Sequence, residues 1–512
     1  MILEIAVFLL TALVAYYLYC YKQVHGFFKQ RGVKFLPGVP IFGNMFRSTF
    51  LKSHFIDELA EVYSAYPDDK YMGFIQYTTP ILLIRDPELI KSITVKDFDH
   101  FVDHQEFVNA EAEPLFGGSL FLMNGDRWRE MRSTLSPAFT SSKMRHIMPL
   151  MVDITNNIIE YVGEHLSEDM DIGDLMCRYT NDVIASAGYG LQVNSVQDRD
   201  NELYTVGSKL FNFNFKQRMG LVINAQFPAL AKKLGIRLFS DRVHNLFTYI
   251  VKTTMEYRKN SGAKLERTDM IQLLMETSKG KPLIISQKWT ADELTGQVFL
   301  FFIAGFETSG SALVMTIHEL ALNPLIQEKL YQEIRKHKEE KELNFDNLGE
   351  LKYLECVFNE TLRKWSPANI LDRKCVKSYE LPPPREGAEP YSLKPGDVVF
   401  SMANCLQMDA RYFPEPELFN PDRFSEENKH NIHPFTFTPF GVGPRICIGT
   451  RFAYMEIKVL LYHLVLNFRI LKCKKTMDPI RLQPHRFSIR SAGGTWVNFE
   501  KREKVPVAQS IN

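Results

Sequence analysis

The run Phe440-Gly441-Val442-Gly443-Pro444-Arg445-Ile446-Cys447-Ile448-Gly449 constrains this chain more than any other stretch. It sets one thiol between glycines, beside a fixed positive charge, at the start of a long apolar segment. Thr450 to Ile470 is apolar nearly all round and reads as a buried helix. Its first free N–H groups and positive dipole end then point at Cys447 and favour thiolate over thiol. Gly443 and Gly449 permit a tight turn and close approach of the backbone to something flat or bulky. Arg445 offers a planar fork of donors for a carboxylate. A large cofactor with carboxylate arms and a soft metal suits all three features.

The spacing Phe440, Gly443, Arg445, Cys447, Gly449 resembles in full the haem-binding loop of the cytochrome P450 family, whose cysteine thiolate is the axial ligand of haem iron. The resemblance implies a mainly α fold with small β-sheets, a single triangular haem-thiolate domain behind an N-terminal transmembrane anchor, and haem b (iron protoporphyrin IX) as cofactor. Other motifs agree with it. Trp128 and Arg132 stand at i and i+4 on one helical face, and the family's Trp-x-x-x-Arg contacts a haem propionate; Arg373 aligns with a further propionate arginine. Glu360 and Arg363, i and i+3 on a helix, resemble the family's buried Glu-x-x-Arg pair, completed by Arg423, and are read as structural supports of the cysteine loop.

Thr290-Ala291-Asp292-Glu293 is a capping box opening a helix that runs until Asn323-Pro324. Its middle, Phe299 to Gly310, carries an interior glycine, at a cost of about 1 kcal/mol relative to alanine, and an acid in apolar surroundings. Local cost without local benefit points to a site. Ala304-Gly305-Phe306-Glu307-Thr308 resembles the family's oxygen-activation motif. On that reading Ala304 and Gly305 let a ligand approach, Thr308 donates to a bound oxygen species, and Glu307 relays protons. Substrate-pocket positions implied by the resemblance are Phe301, Ile303, Ala368, Ile370, Leu371, Phe487 and Ile489.

Composition narrows the class further. The 512 residues are 45% hydrophobic and 12% aromatic, enough for a sizeable core, and the net charge of +1 argues against nucleic acid as a partner. The seven scattered cysteines contain no C-x-x-C pair, which speaks for a reducing compartment and against a zinc site or disulfide framework. Ile5 to Tyr21 is uncharged and mostly apolar, with tyrosines at its end and Lys22, Lys29, Arg31 and Lys34 after it. That pattern predicts a membrane anchor with the body of the protein in the cytosol. The expected division is anchor 1–22, a stiff proline/glycine hinge 23–50, a catalytic domain 51–502 and a tail 503–512. The apolar, basic-edged segment 211–239 is read evenly as ordinary packing or as a second contact with the membrane surface.

Strand patterns at 71–77 and 81–85 predict a hairpin, as does 487–499 around Gly493-Gly494. His430 and His433 are read as loop residues without a metal, and Asp409-Ala410 departs from the family's usual Asp-Pro without touching chemistry. No G-x-G-x-x-G or flavin fingerprint occurs, so electrons must come from another protein. The resemblance implies an NADPH-cytochrome P450 reductase, with a cytochrome b-type carrier as a further partner, at the endoplasmic reticulum membrane. Arg127, Arg129, Lys143, Arg451 and Lys458 are candidate docking charges, each set against a plain solvated surface. The implied activity is a monooxygenase acting on lipophilic, xenobiotic-like substrates. The rivals are a haem-thiolate isomerase or dehydratase, which Thr308 argues against, and a non-catalytic haem protein for ligand sequestration or gas sensing.

Overall fold

The computed structural model describes residues 2–108, 113–260, 269–278 and 289–503; of the expected tail, 504–512 lie outside them. The elements used below are helices α1 (Ile2–Lys29), α2 (Phe55–Ala65), α3 (Gly125–Leu135), α4 (Ser141–Glu164), α5 (Ile172–Ile184), α6 (Asp241–Asn260), α7 (Ala291–Leu322), α8 (Pro324–Glu340), α9 (Lys352–Lys364) and α10 (Thr450–Asn467). The strands are β1 (Tyr71–Gln76), β2 (Thr79–Ile84), β3 (Met170–Asp171), β4 (Ile370–Lys374), β5 (Tyr379–Leu381), β6 (Tyr391–Leu393), β7 (Val398–Met402), β8 (Phe468–Lys472) and β9 (Trp496–Lys501). Helices dominate, and the sheets are small: β1-β2-β7-β4, β3-β9-β8 and β5-β6.

Helix α7 is the axis of the fold. Its start is fixed as the sequence demands: Thr290 Oγ1 accepts from the Glu293 N–H and the Glu293 carboxylate accepts from the Thr290 N–H. Pro324 ends it by opening α8. Because α7 is apolar on most sides it must be covered on most sides, and α5, α6, α9 and α10 pack around it. Phe299, Phe302 and Phe306 stack with Phe247 and Tyr189 in an aromatic core on the side of α6. Gly305 is where α5 comes closest, since a Cβ there would meet Ile184 Cδ1 at 2.3 Å.

In the main sheet, the buried run Ile81–Ile84 of β2 pairs parallel with β7. Strand β4 lies antiparallel at the edge, with Arg373 opposite Val399. This edge carries Ile370 to Arg373 to the interior of the molecule. The hairpin expected at 71–85 is present, with Gln76 opposite Thr79.

Three boundaries differ from expectation. Helix α10 stops at Asn467, and 468–472 becomes strand β8, because the apolar period gives way to a run paired with β9. The hairpin expected over 487–499 is displaced: Arg481–Gln483 pairs with Arg490–Ala492, while β9 turns away to β8 and β3. The apolar N-terminal helix does not end at residue 22 but continues to Lys29. Its first part is exposed, long and apolar enough to cross a membrane, whereas Val24, His25 and Phe28 are buried against the body. The second helix passing the same length and hydropathy test is α7, which is mostly buried core. In the segment 211–239, Phe215, Phe227, Leu230 and Leu234 are exposed, and the Phe227 ring lies 5.8 Å from that of Tyr16 on α1.

Candidate active site

The cysteine loop closes on itself through backbone bonds, Cys447 N–H to Phe440 O at 2.9 Å and Ile446 N–H to Gly443 O at 3.0 Å. Gly443 has φ +74° and a Cβ there would meet Thr94 O at 2.0 Å, so both the conformation and the space require glycine. Cys447 is left exposed while every other cysteine is buried or half-buried. The surface it exposes belongs to an internal cavity and not to the outside of the molecule, since its thiol lies among the cavity's lining residues. Burial therefore pushes the thiol pKa up, opposed by the Gly449 N–H, the Thr450 hydroxyl and the charge of Arg132. Enclosure thus acts against the helix start, which together with the Thr450 hydroxyl and Arg132 favours thiolate.

The cavity holds about 360 Å³ reachable by the centre of a water molecule, far more than the ~10–15 Å³ that one water needs. Cys447, with Phe440 and Gly449, forms one wall. Phe301, Ala304, Gly305, Thr308 and Ser309 of α7 form another, and Ala368, Ile370 and Leu371 close the side at β4. The lining is mostly apolar, with a set of cations at one edge: Arg132, Arg373 and Arg445, beside Trp128. Arg445 donates to Val102 O and Met123 O, both at 2.9 Å, and its guanidinium lies 4.0 Å over the Trp128 ring. Burial, helped by nearby Arg373, pulls its pKa down to about 9. Arg373 is buried, donates to its neighbour's carbonyl and has a buried Nε without any partner; burial lowers its pKa too.

Buried guanidiniums crowding one another are costly unless an anion joins them, so the site fits a flat apolar group bearing carboxylates. A sequence model of the family described as Cytochrome P450 matches residues 33–496. The chain is 39% identical to "Cytochrome P450 9e2" of Blattella germanica, over 93% of this chain and 94% of the relative. It is 38% identical to "Probable cytochrome P450 9f2" of Drosophila melanogaster, over 97% and 99% respectively. This chain belongs to the cytochrome P450 family. It has the P450 fold, is of the insect type, and is a haem-thiolate monooxygenase.

Within this P450, not every predicted residue reaches the cavity. Ala304 and Thr308 present their side chains to it, and the Thr308 hydroxyl donates to the Ala304 carbonyl. Glu307 does not line it, so it reaches the cavity only through other groups. Its carboxylate is buried and bound by Ser488, by Arg490 Nε at 3.1 Å and by Arg486 at 3.4 Å. Burial raises its pKa, and the two arginines with Ser488 more than reverse this, so it stays ionised. Ile303 is likewise buried outside the cavity. With about 3.6 residues per turn, 303 and 307 share one stripe and 304 and 308 the next, rotated by about 100°.

Phe487 and Ile489 are also outside the cavity wall. Phe487 packs on Phe55 and Phe213, and the Ile489 carbonyl accepts from Ser311 at 2.7 Å. The bonds of Glu307 to Ser488 and Arg490 hold their stretch against the flank of α7, away from the cysteine.

The Glu360–Arg363 pair is fully buried with bonds of 2.7 and 2.9 Å, and Arg423 stands 3.5 Å from Glu360. Lys458 is buried and paired with Glu355, which removes it from the docking candidates. Arg127 and Arg129 are engaged with Glu293 and with Asp126 and Asp99, and Arg451 is exposed. Among the described residues no His, Cys, Asp or Glu cluster could hold a further metal ion, His430 and His433 included.

Sequence reasoning missed two polar groups. His104 lines the cavity with Nδ1 2.9 Å from Asp372 Oδ1 and its ring stacked on Phe121. Glu456 lies buried on α10 against α7. An acid within the otherwise apolar 450–467 run was the available signal for the second; nothing local marks the first.

Proposed function

We propose that the enzyme is a microsomal monooxygenase of lipophilic compounds, in which Cys447 would ligate the iron of haem and electrons come from an NADPH-dependent flavoprotein reductase. The observation that carries this reading is the cavity with a cysteine on one wall and Ala304 and Thr308 on another. Arg132, Arg373, Arg445 and Trp128 would hold the haem carboxylates; the partnerless buried Nε of Arg373 supports this. Phe440, Gly443 and Gly449 shape the loop so that the sulfur faces the cofactor. Haem held there through the Cys447 sulfur would supply the oxygen-activating chemistry.

The chain's own residues orient the substrate, exclude water and manage protons. Phe301, Ala368, Ile370 and Leu371 offer apolar contact to the substrate. Thr308, one helical turn beyond Ala304 on the cavity wall, holds its hydroxyl on the Ala304 carbonyl and would hold or pass a proton at Oγ1 by turning it into the cavity. Glu360, Arg363 and Arg423 brace the loop.

The exposed, apolar first part of α1 supports an anchor spanning roughly residues 1–22 at the endoplasmic reticulum, with the rest of α1 docked on a catalytic domain that runs to about 502. A cytochrome b-type carrier is a further electron donor of fitting chemistry. Plant toxins and insecticides are the substrates proposed within that lipophilic class.

The test is to combine the haem-loaded protein with the reductase and NADPH and follow a panel of lipophilic compounds. Oxygenated product formed in step with NADPH use is expected, and NADPH oxidation without product from any compound would overturn the reading. Thr308→Ala should raise peroxide released per NADPH; unchanged coupling would remove Thr308 from proton delivery.

A further inference from the structure

We propose that Gln297 on α7, which does not itself reach the cavity, is a positioning residue that decides which ligands the cavity accepts, by fixing Leu120 and Phe121 as part of its wall. Gln297 is 0% exposed. Its Oε1 accepts from the Leu120 N–H at 2.8 Å, and its amide nitrogen donates to Gly118 O at 2.8 Å and to Glu293 O at 2.9 Å. One side chain therefore answers both a donor and an acceptor of the same turn, as the backbone of a neighbouring strand would. The joint is tight: a Cβ at Gly296 would meet Leu115 O at 2.6 Å, so only glycine lets the turn lie this close to α7. Leu120 and its neighbour Phe121 are both on the cavity wall, and Gln297 is not.

Further contacts make this turn a fixed wall. At its start the buried Glu113 carboxylate accepts from the Leu238 and Phe239 N–H groups at 3.0 and 3.1 Å, shortly before α6. On the far side the Phe121 ring stacks on His104, centroids 4.9 Å apart, and His104 Nδ1 stands 2.9 Å from Asp372 Oδ1 on β4. Phe121 is thus held between α7, through Gln297, and β4, through His104 and Asp372. An apolar cavity selects by shape, so a small shift of such a ring discriminates between ligands of different bulk. The end of the turn nearest the guanidiniums is held separately, with Met123 O accepting from Arg445. Loss of the Gln297 bonds therefore loosens Leu120 and Phe121 without unseating the cofactor. The inference rests on the reading of the cavity as the space for haem and substrate.

Optical titration of the haem-loaded protein with imidazole and with phenylimidazole tests it. Both bring a nitrogen that binds haem iron, and the second adds an apolar ring for the wall to meet. Gln297→Met keeps the length of the side chain and removes its bonds. Imidazole should bind as in the parent, while phenylimidazole should bind about tenfold more weakly. Equal change for both ligands, or no change for either, overturns the proposal. In a Phe121→Ala background Gln297→Met should alter neither affinity further; a second loss of the same size would show that Gln297 acts elsewhere and also overturns it.

Hydrogen exchange reads the bonds directly. The Leu120 N–H should be protected in the parent and exchange about tenfold faster or more in Gln297→Met; equal exchange in the two overturns the proposal. If Gln297→Met does not fold, Gln297→Glu, which keeps the acceptor for Leu120 and loses the donor to Gly118, takes its place in the same titrations. A parent whose spectrum imidazole does not move would remove the haem reading and this inference with it. A normal imidazole response with unchanged discrimination removes this inference alone.

Discussion

Two buried glutamates, Glu360 and Glu307, are each held by a pair of arginines, yet only the first cluster was legible in sequence. Glu360 and Arg363 are one turn apart on α9, and their geometry follows from the helix itself. Glu307 on α7 finds Arg486 and Arg490 roughly 180 positions later, in a segment of short bridges and turns. Spacing encodes a local pair. A long-range pair exists only once the chain has folded, although its effect is as decisive: it ties the C-terminal segment to α7 and turns Phe487 and Ile489 away from the cavity.

The sharpest break in this comparison is Arg363→Leu. It removes both close donors of Glu360, leaving it Arg423 at 3.5 Å and the Asn420 N–H, and it also removes donors to Gln407 O and Pro416 O, so a loss of about 3–5 kcal/mol is expected. Thermal unfolding and haem content check it; a protein of parent stability with full haem would contradict the bracing role.

Arg490→Leu should cost less, about 2–3 kcal/mol, because Arg486 and Ser488 still reach Glu307. Adding Glu307→Gln should restore part of that loss in a double-mutant cycle. If the two substitutions simply add, the pair is not coupled. Substrate-binding spectra should be unchanged in Arg490→Leu, since the cluster lies off the cavity wall; a large shift would show that it shapes the cavity after all.

The smallest effect concerns pH. Glu307 has a depressed pKa, so its stabilisation is present above the unfolded carboxylate pKa and is lost only as pH falls through the lower folded value. His54 behaves differently: burial pulls its pKa from 6.5 to about 4. The folded state then holds it neutral while the unfolded state takes up a proton, and stability falls as pH drops from about 6.5 toward 4, by at most about 3 kcal/mol. Between neutral pH and pH ~5, His54 should therefore contribute to the slope, together with other buried histidines such as His463, whose pKa burial also pulls to about 4, while Glu307 should not. His54→Asn, which keeps a capping side chain at the start of α2, should make it shallower. An unchanged slope would rule His54 out.

What was readable in the sequence has a common physical character. The capping box at Thr290, the closed loop around Gly443, the Glu360–Arg363 pair and the helix start at Thr450 depend on neighbours within one or two turns. The errors share a character too. Helical phase sets Ile303 and Glu307 on a different stripe from Ala304 and Thr308, and a motif match alone does not respect that rotation. His104 and Asp372 meet across a sequence gap that no periodicity spans. Lys458 was read as surface because a lysine usually is, but it lies buried against Glu355.

All of the chemistry assigned to this protein depends on the sulfur at 447 facing the cofactor slot between α10 and α7. The most direct measurement is the absorption of the reduced, carbon monoxide-bound haem protein in the parent and in Cys447→Ser. The account predicts the red-shifted band of thiolate-ligated haem in the parent and its loss in the variant. The same band in both, or its absence from a haem-loaded parent, would contradict it.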